Sequence, residues 1–264
     1  MLRHLKSGLA KLPPVIQSWW LVISFLLLWQ AASWLGIWNR QLLPSPVESL
    51  TAAVKLMAGG QLLGDMAVSV ARVLGGFLLA ALIGVGMGVG LGTFPKLNGA
   101  VRGLVDLLRP LPPIAWIPLG ILWFGIGNGS AVFIVFLGAV FPIFVNTLDG
   151  VLNVRRSYLN TAYCLGAGRA LVLTDVLFPA AMPQILTGLR LGLGFAWTCV
   201  IAAELVGAQS GLGYMIQLNR LVLQMENVLA GMIAIGLIGL GLNKLSSYLE
   251  RRLLRWQRDS LGQR

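Results

Sequence analysis

Charge is what this chain has least of. Only 11% of its residues are Asp, Glu, Lys or Arg, against roughly 25% in an average soluble domain. The hydrophobic share is 57% and the mean hydropathy is +0.81, which together exclude an ordinary soluble fold. Cysteine is almost missing. Cys164 and Cys199 are too few for a disulfide framework and are expected to be free thiols. The single histidine, His4, sits in a basic tail, and no His/Cys/acid cluster has metal-ligand spacing, so neither a metal site nor a catalytic constellation is expected. No G-x-x-x-x-G-K-[S/T] loop occurs, so the chain itself is expected to bind no ATP and no other cofactor. A formal net charge of +11 would suggest nucleic acid in a soluble protein. In a chain this apolar it points instead to Lys and Arg gathered on the inner side of a membrane, and no nucleic-acid partner is expected.

What is abundant is long apolar sequence. A membrane-crossing helix needs about 20 apolar residues, because the hydrocarbon core is roughly 30 Å thick and a helix rises about 1.5 Å per residue. The expected fold is an all-α integral membrane protein forming a single transmembrane domain, 1–264. Its six spans are read at about 18–38, 73–94, 112–127, 130–151, 185–206 and 228–249. The first span has Trp19 and Trp20 at one end and Trp34 and Trp38 at the other, as interfacial belts require. It lacks a small-residue cleavage pattern and reads as a retained span. The second carries Gly76, Ala80, Gly84, Gly88 and Gly92 at every fourth position, a stripe that permits close helix approach in lipid. The third is short and holds Pro112, Pro113 and Pro118; broken helices at membrane depth are tolerated where they line a cavity.

Six spans put both termini on one side. Placing them inside assigns sixteen of the 20 Lys and Arg to inner segments and leaves Arg40, Lys55, Arg72 and Arg220 outside. This bias sets the orientation as N-in, C-in. On the outer side, Ser45-Pro46-Val47-Glu48 reads as a capping box with proline in the first turn, predicting a short helix after the first span.

The orientation puts the polar island 153–183 inside. Ser157 is the predicted N-cap of a helix running to Leu165, and Gly166 can take the left-handed conformation that closes it. A second helix is predicted over about 169–178, stopped by Pro179, with Pro183 in the first turn of the fifth span. A connection between two spans needs about 2–8 residues, and this one is far longer. Either it is a knob that docks in a partner's groove or an amphipathic helix resting on the membrane.

The ordered motifs carry a resemblance. Gly166-Ala167, then Leu177-Phe178-Pro179-Ala180-Ala181-Met182-Pro183-Gln184-Ile185 and Gly188-Leu189-Arg190-Leu191-Gly192-Leu193-Gly194, resemble the EAA loop of bacterial ABC-importer permeases, the binding-protein-dependent transport inner-membrane family. Leu43-Pro44-Ser45-Pro46, Arg72-Val73-Leu74, Arg109-Pro110-Leu111-Pro112-Pro113-Ile114-Ala115-Trp116-Ile117-Pro118, Ala203-Glu204 and Gly211-Leu212-Gly213 are similar, in order, to the nitrate/sulfonate/taurine-type permeases. The resemblance implies a permease subunit in the bacterial inner membrane that works as a pair of copies of this chain. A cytoplasmic ABC ATPase dimer carries ATP and Mg, and a periplasmic or lipid-anchored binding protein delivers the solute. It implies a coupling helix contacting the ATPase through Asn160, Thr161, Ala162, Leu165, Gly166, Ala167, Gly168 and Arg169. Asn160 stands where the family has Glu. With Ser157 three residues earlier, Glu would have completed a capping box.

The candidate solute pathway comprises Pro112, Pro113, Trp116, Pro118, Asn146 and Glu204, with Thr147 beside it. An intramembrane acid is a functional candidate by default, but Glu204 could also pair with Arg72 or Arg220. Arg190 is read as snorkelling at the inner end of the fifth span. The expected solute is a small anion of the nitrate, sulfonate or taurine kind. Alternatives are a vitamin or pyrimidine precursor, an ion-coupled secondary transporter, and a membrane scaffold without transport. The secondary transporter would need buried ionisable groups beyond Glu204.

Overall fold

The computed structural model of the chain describes residues 14–36, 38–39 and 42–254. The basic residues counted at Arg3, Lys6, Lys11, Arg40, Arg255, Arg258 and Arg264 lie outside the described residues, as does His4. Among the described residues all regular structure is helical: α1 (Pro14–Trp34), α2 (Pro46–Ala58), α3 (Gln61–Thr93), α4 (Pro95–Leu108), a 3-10 turn (Pro113–Trp116), α5 (Ile117–Phe124), α6 (Asn128–Leu152), α7 (Arg156–Cys164), a segment Arg169–Leu171 leading into a π turn (Val172–Leu177), α8 (Phe178–Gly207), α9 (Leu212–Leu221) and α10 (Met225–Leu253). Among the described residues four stretches are long and apolar enough to cross a membrane: Gln61–Thr93, Asn128–Leu152, Arg169–Gly207 and Met225–Leu253.

The chain forms two compact units. The first holds the described residues up to Leu62 together with Ile216–Met232. Its helix α2 starts as the sequence predicts: Ser45 Oγ accepts the Glu48 N–H at 3.2 Å, and Glu48 Oε2 accepts the Ser45 N–H at 2.7 Å. These two bonds satisfy donors that a helix start would otherwise leave unpaired. Ala52 and Ala53 of α2 pack with Leu56 on Ala230 of α10.

The second unit holds Leu63–Met215 and the described residues from Ile233, and it is organised around α6. Thirteen of the 25 residues of α6 are buried, so it is the central helix of this unit. One face of α6 receives the glycine stripe of α3. A Cβ at Gly76 would meet Val135 at 2.5 Å, one at Gly84 would meet Ile143 at 3.0 Å, one at Gly88 would meet Thr147 at 2.6 Å, and one at Gly92 would collide with Val151. The ridge 135, 143, 147, 151 thus lies in the groove that the small residues open. Gly86 and Gly90, between them in sequence, face nothing within 4 Å. Another face of α6 takes α8, where Gly188 and Gly192 sit against Asn146 and Ile143. Apolar burial has no driving force between helices in lipid, so fit of this kind supplies the association. Gly88→Val should therefore lower the thermal midpoint in detergent by the equivalent of about 1–3 kcal/mol, the cost of overpacking. Gly90→Val, with open space around it, should leave that midpoint nearly unchanged.

Four expectations need correction. The third span, expected at 112–127, is instead a 3-10 turn followed by the eight-residue α5. Eight residues give about 12 Å, well short of the hydrocarbon core. Proline at 112, 113 and 118 breaks the run, and Gly125 ends it at φ +75°. The sequence reading has no helix at α4, although Pro95 at its first position and apolar residues at 97, 101, 104, 105 and 108 mark one. The second apolar helix starts at Gln61 rather than near Val73. Pro179 does not stop a helix and Pro183 does not open one; the backbone winds on from Arg169 to Gly207. The π turn explains this. The Phe178 N–H reaches back five residues to the Leu173 carbonyl, and the widened turn gives the Pro179 ring room and takes up its missing donor.

Candidate functional site

Two constructions stand out, one at each end of α8. The first is the turn formed by α7. Arg155, in an extended conformation (φ −58°, ψ 124°), is its N-cap residue and provides no side-chain cap. Ser157 is therefore inside the helix rather than capping it. Position 160 is not the third residue after a cap, so a Glu there would complete no capping box with Ser157. The predicted cap fails because capping requires the extended backbone that Arg155 already adopts.

The other end of α7 follows the sequence. The Gly166 N–H donates to the Tyr163 carbonyl at 3.0 Å, and the Ala167 N–H donates to the Ala162 carbonyl at 3.0 Å. With Gly166 at φ +82°, this is a complete Schellman motif. The candidate residues at 160–169 thus come together on one helix end and one turn. Asn160, Thr161, Leu165, Gly166, Gly168 and Arg169 are exposed; Ala162 and Ala167 are half-buried. No residue of α7 is fully buried. Half-buried Leu159 and Val154 anchor it to Val151, Leu177, Ala181 and Ile185. Away from that anchor the turn presents Tyr163 and a Leu165 that is 83% exposed.

The second construction surrounds Glu204. Asp65, Ser69 and Arg72 fall on one face of α3. Arg72 is 4% exposed and Glu204 1%, and they form an ion pair at 2.8 Å. Ser69 Oγ lies 2.9 Å from both carboxylate oxygens and donates its proton to them, while the Gly213 N–H donates to Oε2 at 2.9 Å. Ser69 in turn accepts the Leu212 N–H at 2.9 Å. Arg72 Nε donates to Asn128 Oδ1 at 2.8 Å, Nη1 to the Ser210 carbonyl at 2.6 Å, and Nη2 to Ser210 Oγ at 2.9 Å. Asp65 Oδ1 accepts the Gly211 N–H at 2.9 Å. Buried charges persist only when paired and hydrogen-bonded, and every element here contributes to that.

The choice between Arg72 and Arg220 is settled in favour of Arg72; Arg220 is exposed. The Gly211-Leu212-Gly213 motif gains a reason as well. Gly211 has φ +102°, and a Cβ there would enter the Glu204 carboxylate; a Cβ at Gly213 would lie 2.6 Å from Glu204 Cβ. Only glycine lets the loop backbone close over the acid. Asp65, Ser69, Asn128 and Ser210 were missed by sequence reasoning, although three polar residues spaced four and three apart at the edge of an apolar run were the available signal.

The remaining pathway candidates lie apart. Trp116 packs against Ile117, Ala131, Ile134 and Ala203, beside Glu204 in sequence. Pro112 and Pro118 are exposed and Pro113 is half-buried along the same segment. Asn146 is farther down α6, where its side-chain amide donates to the Pro142 carbonyl at 2.8 Å. Thr147 is fully buried and its hydroxyl has no partner. Cys164 and Cys199 are free thiols.

Residues 80–259 match the family described as the binding-protein-dependent transport system inner membrane component. A putative ABC transporter permease protein of Methanocaldococcus jannaschii is 42% identical over 77% of this chain and 76% of its own length. The taurine transport system permease protein of Escherichia coli is 34% identical over 96% and 90%, and the bicarbonate transport system permease protein of Synechococcus elongatus is 33% identical over 89% and 87%. Among solved structures, the inward-facing MetNI methionine ABC transporter superposes with a TM-score of 0.66, covering 74% of this chain and 97% of that one. At 19% identity the last is a likeness of fold. A match over more than half the chain and relatives at this identity over most of their length agree: the chain belongs to the inner-membrane components of binding-protein-dependent ABC transport systems.

Proposed function

We propose that this permease subunit works as a homodimer with six crossings, the third made by the broken proline segment and α5 together rather than by one straight helix, with both termini inside, and that it imports a small anionic solute by alternating access. In this scheme α7 is the coupling helix. The observation that carries it is the turn at Gly166: a fully hydrogen-bonded helix end, anchored by few apolar contacts, that holds an 83% exposed leucine outward. A large exposed apolar side chain on a rigid turn suits a partner's groove, here that of a cytoplasmic ATPase dimer that binds ATP and Mg. The external binding protein meets the opposite face. The proline segment 112–118, whose irregular backbone suits a cavity wall, lines the route. The Glu204 network holds the outer loop in place rather than carrying solute, since Arg72, Ser69 and Gly213 already occupy its carboxylate.

The solute class is supported by the named relatives, whose substrates taurine and bicarbonate both bear an anionic acid group. The test is uptake of radiolabelled taurine, an alkanesulfonate and bicarbonate by vesicles containing the full transporter. Uptake of at least one should stop when ATP is depleted with the proton gradient intact. Uptake that continues without ATP would overturn the proposal in favour of an ion-coupled carrier. ATP-dependent uptake of a vitamin precursor alone would keep the importer and overturn the solute class.

A further inference from the structure

Apart from the Glu204 network, the second unit has one other ion pair among the described residues. Arg190 Nη1 lies 3.3 Å from Glu250 Oε2, and Arg190 Nε donates to Asn243 Oδ1 at 3.4 Å. The pair borders a groove of about 530 Å³ between α8 and α10. Thr187, Arg190, Leu191, Gly194, Phe195 and Thr198 supply the α8 side. Their spacing of three and four places them on one face of the helix. Gly188 and Gly192 form a different face, packed against α6. The groove is thus the side of α8 that α6 leaves open.

Arg190 lies 14 residues before Glu204 on the same helix, about 21 Å along it. It therefore lies within or at the inner edge of the membrane-crossing stretch Arg169–Gly207. Two threonines, an asparagine, an arginine and a glutamate do not face lipid at that depth; such groups turn toward a water-filled cavity or the bundle interior. The Arg190 side chain is 45% exposed and that of Glu250 27%, so the pair is wet and cheap to open. Guanidinium presents a planar fork of donors that matches carboxylate-like oxyanions. Thr198 adds a hydroxyl that now donates back to the Phe195 carbonyl at 2.9 Å and can turn away from it.

We infer that the Arg190 groove is a transit contact for the solute's oxyanion, in which the anion displaces Glu250 from Arg190 as it moves inward. The inference rests on the importer reading and extends it to a residue and a chemistry. Its test needs neither ATP nor turnover, so its failure is distinct from failure of the importer reading. In a Cys164→Ser, Cys199→Ala background, Thr198→Cys is placed in the full transporter in nanodiscs, where both faces meet water. Its modification rate is measured with an anionic sulfonatoethyl methanethiosulfonate and with the cationic trimethylammonium counterpart. Arg190→Gln should slow the anionic reagent at least about fivefold relative to the cationic one, the scale of one charge contact in high dielectric. Glu250→Gln should speed it, and millimolar taurine or bicarbonate should slow it when Arg190 is present. Three results would overturn the inference: no reaction with either reagent, a reagent ratio that ignores Arg190, or a Glu250→Gln variant that slows the anionic reagent as Arg190→Gln does, the mark of a structural pair.

Discussion

A Gly166→Asp variant should insert and fold almost as the parent does, yet lose ATP-driven uptake. The structure separates the two effects. A Cβ at Gly166 meets nothing within 4 Å, and the position is exposed, so the added side chain can turn outward without a clash. The remaining intrinsic cost is the left-handed backbone at φ +82°, about 1–2 kcal/mol for an L-residue and less for Asp or Asn, whose short polar side chains tolerate it. That strain shifts the thermal midpoint only modestly. Docking is another matter, because the added carboxylate stands beside Leu165 and Ala167 on the surface proposed to meet the ATPase. Burying an unpaired charge in an interface costs far more than the strain does. The measurement pairs uptake and ATPase co-purification with the thermal midpoint in detergent. Gly166→Asn is the neutral control of nearly the same shape. Normal uptake by Gly166→Asp would sink the coupling role of α7. Loss of uptake together with a collapse in stability would assign Gly166 a purely structural part.

Glu204→Ala should be among the most destabilising single changes in the chain, by about 3–5 kcal/mol, the usual result of leaving one partner of a buried pair uncompensated. Arg72 would remain 4% exposed with no opposite charge. Ser69 Oγ and the Gly213 N–H would also lose the oxygens they address. Removing both charges, as Arg72→Met with Glu204→Leu, should cost less than the two single changes summed, because each single variant suffers from the same orphaned partner. A double-mutant cycle of unfolding midpoints reads this directly. If the single effects simply add, the two residues are not acting as a pair. Gly211→Ala offers an independent check, since its methyl would push the Glu204 carboxylate out of place while leaving both charged residues in the chain. It should reproduce much of the Glu204→Ala phenotype.

Much of this was legible in the sequence where a local rule had no competitor. The capping box at Ser45 and Glu48 formed as written, and Gly166 closed its helix through the bonds its position permits. The stripe of every fourth glycine on α3 meets α6, while Gly86 and Gly90 do not, which periodicity alone distinguishes. Rules failed where tertiary structure outbid them. Hydropathy started the second apolar helix too late because Asp65, Ser69 and Arg72 look like a polar loop; Arg72 is paired with Glu204, and Asp65 and Ser69 are hydrogen-bonded, by groups more than a hundred residues away in the chain, which no window can see. Proline rules ended a helix at Pro179 because they assume an α register, and the π turn changes it. Ser157 looked like a cap, but the backbone had already turned at Arg155. For the Glu204 network, sequence offered the acid and two possible arginines; only three-dimensional packing could choose between them.

The uninterrupted winding from Arg169 to Gly207 has a mechanical consequence. A helix of 39 residues is about 58 Å long. One end begins three residues beyond the Gly166 turn, and the other ends three residues past Glu204. It is one continuous element from the α7 turn to the loop closed over Glu204. A continuous helix moves as a body, so a displacement of the α7 turn would displace the loop over Glu204 with it. The widened turn at Val172–Leu177 is the one place along this stretch where the backbone register changes.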